Sequence, residues 1–115
     1  MPSTGLHGPH NLNADTIDAY VGTSIGTYAL GYVSDGGTFI VNYTGRSDTD
    51  LNDRLKDWIG NYKSFKYGHY STAKAAYECE CRIFHDFGGT AQLDNSVHPA
   101  RPKGTDWKCP RGDCF

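Results

Sequence analysis

The sequence lacks any apolar stretch long enough to cross a membrane, and it also lacks an excess of positive charge. No run approaches the roughly 18 to 20 apolar residues that a transmembrane helix needs, and residues 1–10 do not show the charged and then apolar pattern of a signal peptide. The net charge is −2, so no global positive field attracts nucleic acid or an anionic membrane surface. We expect a soluble, intracellular protein without a membrane partner, in which a polyanion meets only a local basic patch.

The chain has four cysteines in 115 residues. Four cysteines form two disulfides in many secreted chains, but without an export signal we expect thiols or metal ligands. Aromatic residues make up 13% of the chain and apolar residues 37%, which is typical of a folded protein and not of a disordered one. This length and composition predict one globular domain.

The two ends of the chain differ in composition from its middle. Residues 1–12 are rich in Gly, Pro and His and predict a flexible leader. We expect residues 13–115 to form the single domain, with its core at 26–87. Prolines at 99, 102 and 110 predict an irregular C-terminal tail over residues 88–115.

A β-hairpin is the clearest local prediction. Residues 27–33 and 38–44 are rich in Tyr, Val, Ile, Thr and Phe, and the four residues SDGG separate them. If Val33 and Thr38 close the loop, Tyr28 lies directly opposite Tyr43 on one face of the hairpin.

Helical patterns flank this hairpin. The sequence predicts a short helix over residues 17–21 capped by Asn13, a helix over 50–59 capped by Asp48 or Asp50, and a helix from Ser71 or Thr72 to about Asp86. Residues 64–70 alternate and predict a third strand. The expected fold is therefore α+β, with a small three-stranded antiparallel sheet flanked by helices.

The last helix carries a carboxylate on its apolar side. At 100° per residue, Glu80 falls in the middle of an arc formed by apolar residues such as Ala76 and Phe84. Glu78 instead lies between Lys74 and Arg82 at spacings of four, which is typical of a solvent-facing charged stripe. Since a buried carboxylate needs a partner, a metal or a shifted pKa, Glu80 is the candidate functional residue.

These motifs, in this order, resemble the GIY-YIG endonuclease superfamily. The sequence carries GTY at residues 26–28, YTG at 43–45, the helical DLNDRL with Arg54, and AAYECECRIFH with Glu80. The resemblance covers roughly residues 26 to 85, about half of the chain.

The resemblance implies a metal-dependent endonuclease that hydrolyses phosphodiester bonds in DNA. Tyr28 would orient or deprotonate the attacking water, and Tyr43 would position water or phosphate. Arg54 would bind a phosphate oxygen whose charge grows in the transition state. Glu80 would hold one Mg²⁺ or Mn²⁺ ion against the scissile phosphate. A non-catalytic module that binds nucleic acid or protein and keeps the fold, with a structural zinc, is the alternative.

The chain departs from the family pattern at Thr27 and Thr44, which replace isoleucines, and also at Trp58. Trp58 stands where many members carry a histidine one turn after the arginine, so we expect His69 or Tyr70 to supply that support if any residue does. Some members also use a late asparagine, which is matched to Asn95.

The cysteines suggest a second metal site. Cys81 and His85 share a helix face, and Cys109 and Cys114 lie close together in the tail, so these four residues predict a structural Zn²⁺ site that pins the tail to the helix. His98 is a substitute fourth ligand. Free buried thiols, or a disulfide between Cys109 and Cys114, are the alternatives, and Cys79 is expected to be a core thiol.

DNA is the expected partner, and the oligomeric state stays open. Because acidic residues are interleaved with the basic ones, we expect modest and salt-sensitive affinity. Besides Arg54, the candidate nucleic-acid contacts are Arg46, Lys56, Lys63, Lys66 and Lys74.

Overall fold

The computed structural model describes residues 4–95 and Pro99. The protein is a compact α+β fold in which helices pack on a four-stranded antiparallel sheet, so the predicted fold class is confirmed. The elements in chain order are β1 (His7–Asn11), α1 (Ala14–Tyr20), β2 (Gly26–Val33), β3 (Phe39–Ser47), α2 (Leu51–Lys56), β4 (Ser64–His69), α3 (Ala73–Asp86) and α4 (Gly89–Gln92).

The sheet has one strand more than the three that we predicted, and its order is β1-β4-β2-β3. The additional strand, β1, comes from the segment that we interpreted as a flexible leader. His10 pairs with Phe65, and the next apolar residue, Leu12, is only 7% exposed. The prediction of three strands was wrong because Gly8 and Pro9 hide the alternation of a strand, and proline is tolerated where a strand lies at the edge of a sheet.

The helices begin where their capping residues predicted. The side chains of Asn13, Asp50 and Thr72 accept hydrogen bonds from backbone N–H groups three residues later, at 2.8, 3.0 and 3.1 Å. These caps satisfy donors that have no partner inside the helix. The second helix, α2, is shorter than predicted and ends at Lys56.

The register of the hairpin differs from the predicted one. Tyr28 lies opposite Gly45, and Tyr43 lies opposite Leu30. The predicted direct pair of Tyr28 and Tyr43 was therefore wrong. The two tyrosines are diagonal neighbours on the same face of the sheet, because the register differs by two residues and each one-residue step changes the face.

Two local features produce this register. The backbone N–H of Ser34 donates to the carbonyl of Thr38 at 2.8 Å, so the loop closes one residue later than we assumed. A bulge between Leu30 and Gly31 then leaves Asn42 as an extra residue in β3. Together they shift Tyr43 by one diagonal position and keep it beside Tyr28.

Apolar clusters lie on opposite faces of the sheet. Alternate residues of β2 divide between them, since Tyr28 and Leu30 belong to one cluster and Ala29 to the other. The first cluster contains Ile17 of α1 and Leu55 of α2, so these two helices cover that face. The second contains Phe84, so α3 covers the other face. In the described part of the chain, no helix combines the length and the apolarity that crossing a bilayer requires.

Candidate active site

One cleft brings together all four residues that the sequence predicted to be catalytic. Tyr28 of β2, Tyr43 of β3, Arg54 of α2 and Glu80 of α3 line a single cavity of about 530 Å³. Four separate elements therefore deliver two phenols, a guanidinium and a carboxylate to one place. Whether these groups carry out catalysis stays a prediction.

Tyr28 is held tightly within this cleft. Its side chain is only 2% exposed, and its phenol lies so close over Gly45 that a Cβ atom there would overlap it. The hydroxyl accepts a hydrogen bond from Nε1 of Trp58 at 2.8 Å. Burial raises the pKa of Tyr28 far above its ordinary value of 10, and the nearby Tyr43 and Glu80 raise it further. The phenol is therefore neutral near pH 7 and is a hydrogen-bond donor.

Glu80 is the buried carboxylate of the site. It is 6% exposed, which confirms the inward orientation that the helical pattern predicted. Its Oε1 accepts a hydrogen bond from Nη1 of Arg46 at 2.8 Å, while Nε of the same guanidinium donates to Asp48 at 2.9 Å. Burial outweighs the attraction of Arg46 and raises the pKa of Glu80 to about 7. The carboxyl group is thus poised between its neutral and charged forms at neutral pH.

The other phenol, that of Tyr43, is half-buried. Its ring packs on Trp58 at 4.6 Å between ring centroids and faces Tyr62 at 6.4 Å. Burial raises the pKa of Tyr43, and the carboxylate of Glu80 adds to this effect. The two tyrosines of the cleft are therefore both uncharged donors near neutral pH.

Two arginines line the cleft, and Arg54 is the one whose guanidinium has fewer hydrogen-bond partners among the described residues. The residue is exposed, it lines the cleft, and no described residue accepts a hydrogen bond from its guanidinium. A planar guanidinium with its donors available binds a phosphate in a two-point contact. The opening of the cleft is suited to an anionic group.

The side chains of the cleft fit a hard, hydrated cation that is held by one carboxylate. In the described segments no cluster of three or more His, Cys, Asp or Glu side chains could enclose a metal ion. Mg²⁺ keeps several of its waters and is often bound through one or two carboxylates together with substrate phosphate oxygens. One oxygen of Glu80 is bonded to Arg46, and its other oxygen accepts no hydrogen bond from any described residue. The Glu80 carboxylate therefore fits such an ion as a single protein ligand.

Most of the predicted nucleic-acid contacts lie outside the cleft. Arg46 lines it but is bonded to Glu80 and Asp48. Lys56 forms an ion pair with Asp18 at 2.7 Å. Lys66 lies over the ring of Phe39, 5.4 Å from its centroid, beside a different pocket. Lys63 and Lys74 are exposed, and neither lines the cleft.

The zinc hypothesis rests partly on residues outside the described part of the chain, namely Cys109, Cys114 and the substitute ligand His98. Cys81 is fully buried in α3, and a zinc ion would require it as a thiolate. His85 is half-buried and meets the ring of Phe84 edge to face. The zinc site stays a prediction.

Cys79 is a buried free thiol that accepts a hydrogen bond from the hydroxyl of Tyr70 at 2.9 Å. This confirms the predicted core thiol, and it engages Tyr70 away from the cleft. His69 accepts a hydrogen bond from the backbone N–H of Gly22 at 2.9 Å and also lies outside the cleft. Neither of the two residues proposed to replace a histidine at position 58 is placed to do so.

Asn95 lines the cleft, and its side chain forms hydrogen bonds to the backbone of β3. Its side-chain amide donates to the carbonyl of Thr44 at 2.8 Å and accepts from the N–H of Thr44 at 3.0 Å. The amide thus takes the place of a neighbouring strand at the open edge of β3 and supports the strand between Tyr43 and Gly45.

The sequence did not reveal two side-chain contacts of the cleft. The prediction assigned Arg46 to DNA and not to Glu80, and it treated Trp58 as a lost histidine and not as a donor to Tyr28. For Arg46, the available signal was the predicted burial of Glu80, because a buried carboxylate needs a charged or hydrogen-bonding partner.

Comparisons with family models, with curated proteins and with solved structures gave no match to this chain. The functional interpretation therefore depends on the geometry of the cleft.

Proposed function

We propose that the protein is a metal-dependent endonuclease of the GIY-YIG type that hydrolyses phosphodiester bonds in DNA. The observation that carries the proposal is the convergence of Tyr28, Tyr43, Arg54 and Glu80 in one cleft of about 530 Å³. Neutral donors, a guanidinium without an acceptor among the described residues, and a buried carboxylate are groups that phosphodiester hydrolysis uses to position water and to stabilise negative charge.

Each residue has a role that follows from its surroundings. Glu80 would hold Mg²⁺ or Mn²⁺ through its carboxylate, and the ion, when bound, would polarise the phosphoryl group. Arg54 would donate to a non-bridging phosphate oxygen, on which charge accumulates in the transition state. Tyr28 and Tyr43, both kept neutral by burial, would donate hydrogen bonds that orient the phosphate and the attacking water.

The electrostatics of the cleft support a weakly held and salt-sensitive substrate. Arg46 is neutralised by Glu80 and Asp48, so Arg54 is the cation of the cleft that has no acceptor among the described residues. A small number of phosphate contacts gives a shallow dependence of affinity on salt, with a slope of about −0.9 per contact in duplex DNA. Binding energy would then come mainly from the ion and Arg54.

A plasmid assay tests the proposed activity. Purified protein with Mg²⁺ or Mn²⁺ is expected to nick or linearise supercoiled plasmid, and Glu80→Gln is expected to abolish this cleavage. Glu78→Gln is the matched control, because it removes a carboxylate from the same helix at a position that does not line the cleft. Cleavage that persists in Glu80→Gln, or a wild-type protein without any cleavage, would contradict the proposal.

A further inference from the structure

Among the described residues, Trp58 is the one hydrogen-bond partner of the Tyr28 hydroxyl. The distance from its Nε1 to the phenol oxygen of Tyr28 is 2.8 Å, and the two residues are 30 positions apart in the chain. Tyr28 is almost completely buried, so this contact lies in a region with little competition from water. A hydrogen bond in such a place is stronger than one at the surface.

The indole of Trp58 is itself fixed. Its backbone N–H donates to the carbonyl of Leu55 at 3.1 Å, and its carbonyl accepts from Asn61 at 2.9 Å. The ring packs against Tyr43 and Tyr62, at 4.6 and 6.0 Å between ring centroids. The donor is thus held by a hydrogen-bonded turn and by two aromatic neighbours.

The same short stretch of chain carries Arg54. Residues four apart in a helical turn lie on one side of the helix, and Trp58 follows Arg54 by four positions just after the end of α2. The stretch of chain that delivers the guanidinium to the cleft therefore also delivers the indole N–H to Tyr28.

The chemistry of indole fixes the direction of this hydrogen bond. Indole nitrogen donates a proton and accepts none, so the oxygen of Tyr28 must be the acceptor. The hydroxyl proton of Tyr28 then needs a second acceptor, and no described residue provides one. Because Tyr28 lines the cleft, its proton is directed to whatever occupies the cleft.

We propose that Trp58 is a positioning residue that turns the hydroxyl proton of Tyr28 toward the bound phosphodiester, so that Tyr28 donates a hydrogen bond to it. This inference rests on the proposed function for the identity of the substrate. Indole cannot take up a proton, so Trp58 does not serve as a relay through which Tyr28 could pass a proton on. The role differs from deprotonation of water by Tyr28, which the sequence left open.

The hydrogen bond itself is tested by NMR without any assay of activity. The indole N–H resonance that disappears in Trp58→Phe identifies Trp58. In Tyr28→Phe, which removes one oxygen atom, this resonance is expected to move upfield and to exchange faster with water. Tyr43→Phe is the matched control, because it removes a hydroxyl from the ring that packs on the same indole and is expected to leave the exchange rate unchanged. An indole signal that is the same in Tyr28→Phe and the wild type would overturn the proposal.

Cleavage kinetics test the consequence. Trp58→Phe is expected to lower kcat about tenfold, the effect of losing one buried hydrogen bond, with KM unchanged. Trp58→His restores an N–H donor and is expected to recover most of kcat. In the Tyr28→Phe background, Trp58→Phe is expected to cause no further loss, because its target oxygen is absent.

Equal losses from Trp58→Phe in both backgrounds, or no recovery in Trp58→His when it folds as the wild type does, would overturn the proposed role. If the wild type does not cleave DNA, the proposed function fails while the NMR comparison still decides whether Trp58 positions Tyr28.

Discussion

Replacing Glu80 by Gln should change how the stability of the protein depends on pH. Burial raises the pKa of Glu80 to about 7, from 4.5 for an ordinary glutamate. Each tenfold change in proton affinity is worth about 1.4 kcal/mol, so this difference corresponds to about 3 kcal/mol. Glutamine has a similar shape and keeps an oxygen that can accept from Arg46, but it does not titrate.

The direction of this pH dependence follows from whether the folded or the unfolded state binds the proton more tightly. Below pH 4.5 the carboxyl group is protonated in both the folded and the unfolded protein, and its full contribution to stability is present. Between pH 4.5 and about 7 the unfolded chain loses the proton while the folded protein keeps it, so stability falls as the pH rises. Above about 7 both states are ionised and the loss is complete.

Urea unfolding followed by tryptophan fluorescence measures this effect. The difference in unfolding free energy, Glu80→Gln minus wild type, is expected to increase by about 3 kcal/mol between about pH 4 and about pH 8. The other titrating groups contribute to both proteins and cancel in the difference. Glu78→Gln controls for the removal of one negative charge from α3. A difference for Glu80→Gln that stays constant with pH would refute the raised pKa of this carboxyl group.

Three further substitutions test other parts of the structure, each by urea unfolding. Gly45→Ala places a Cβ atom against the phenol of Tyr28 and is expected to cost about 1 to 3 kcal/mol; a neutral result would contradict the close packing. Asn95→Ala removes both hydrogen bonds to Thr44 and is expected to cost about 1 to 3 kcal/mol, whereas no loss would show that Asn95 does not support β3. Leu12→Ala, at a residue 7% exposed, is expected to cost about 3 kcal/mol; a cost near zero would contradict the packing of Leu12 in the core.

The parts of the fold that depend on local chemistry could be predicted from the sequence. Asn13 and Thr72 cap their helices because a side-chain oxygen satisfies a backbone N–H three residues later. Glu80 could be placed on the buried side of α3 because the helical period alone decides which residues share a face.

The features that depend on contacts distant in sequence could not be predicted. The strand β1 is defined by its pairing with β4, more than 50 residues later, and not by its own pattern. The bulge at Asn42 changes the register, and the carbonyl of Asn42 accepts a hydrogen bond from the backbone N–H of Asp94 at 2.6 Å. No spacing within the hairpin reports such a contact.

The candidate site, like the fold, could be predicted only in part. Family resemblance selected Tyr28, Tyr43, Arg54 and Glu80, and the structure brings them into one cleft. The resemblance did not reveal which side chains each of these residues contacts. That information lies in side-chain pairs on different elements, such as Arg46 with Glu80, which are separated by 34 positions.

The central claim is that two phenols, a guanidinium and a carboxylate surround one bound cation. Anomalous diffraction from crystals of the protein soaked with Mn²⁺ tests it most directly. The account predicts one strong peak in the cleft, about 2.1 Å from a carboxylate oxygen of Glu80, with Tyr28, Tyr43 and Arg54 around it, and no such peak in Glu80→Gln. Saturating Mn²⁺ that binds elsewhere and leaves Glu80 without an ion would contradict the account.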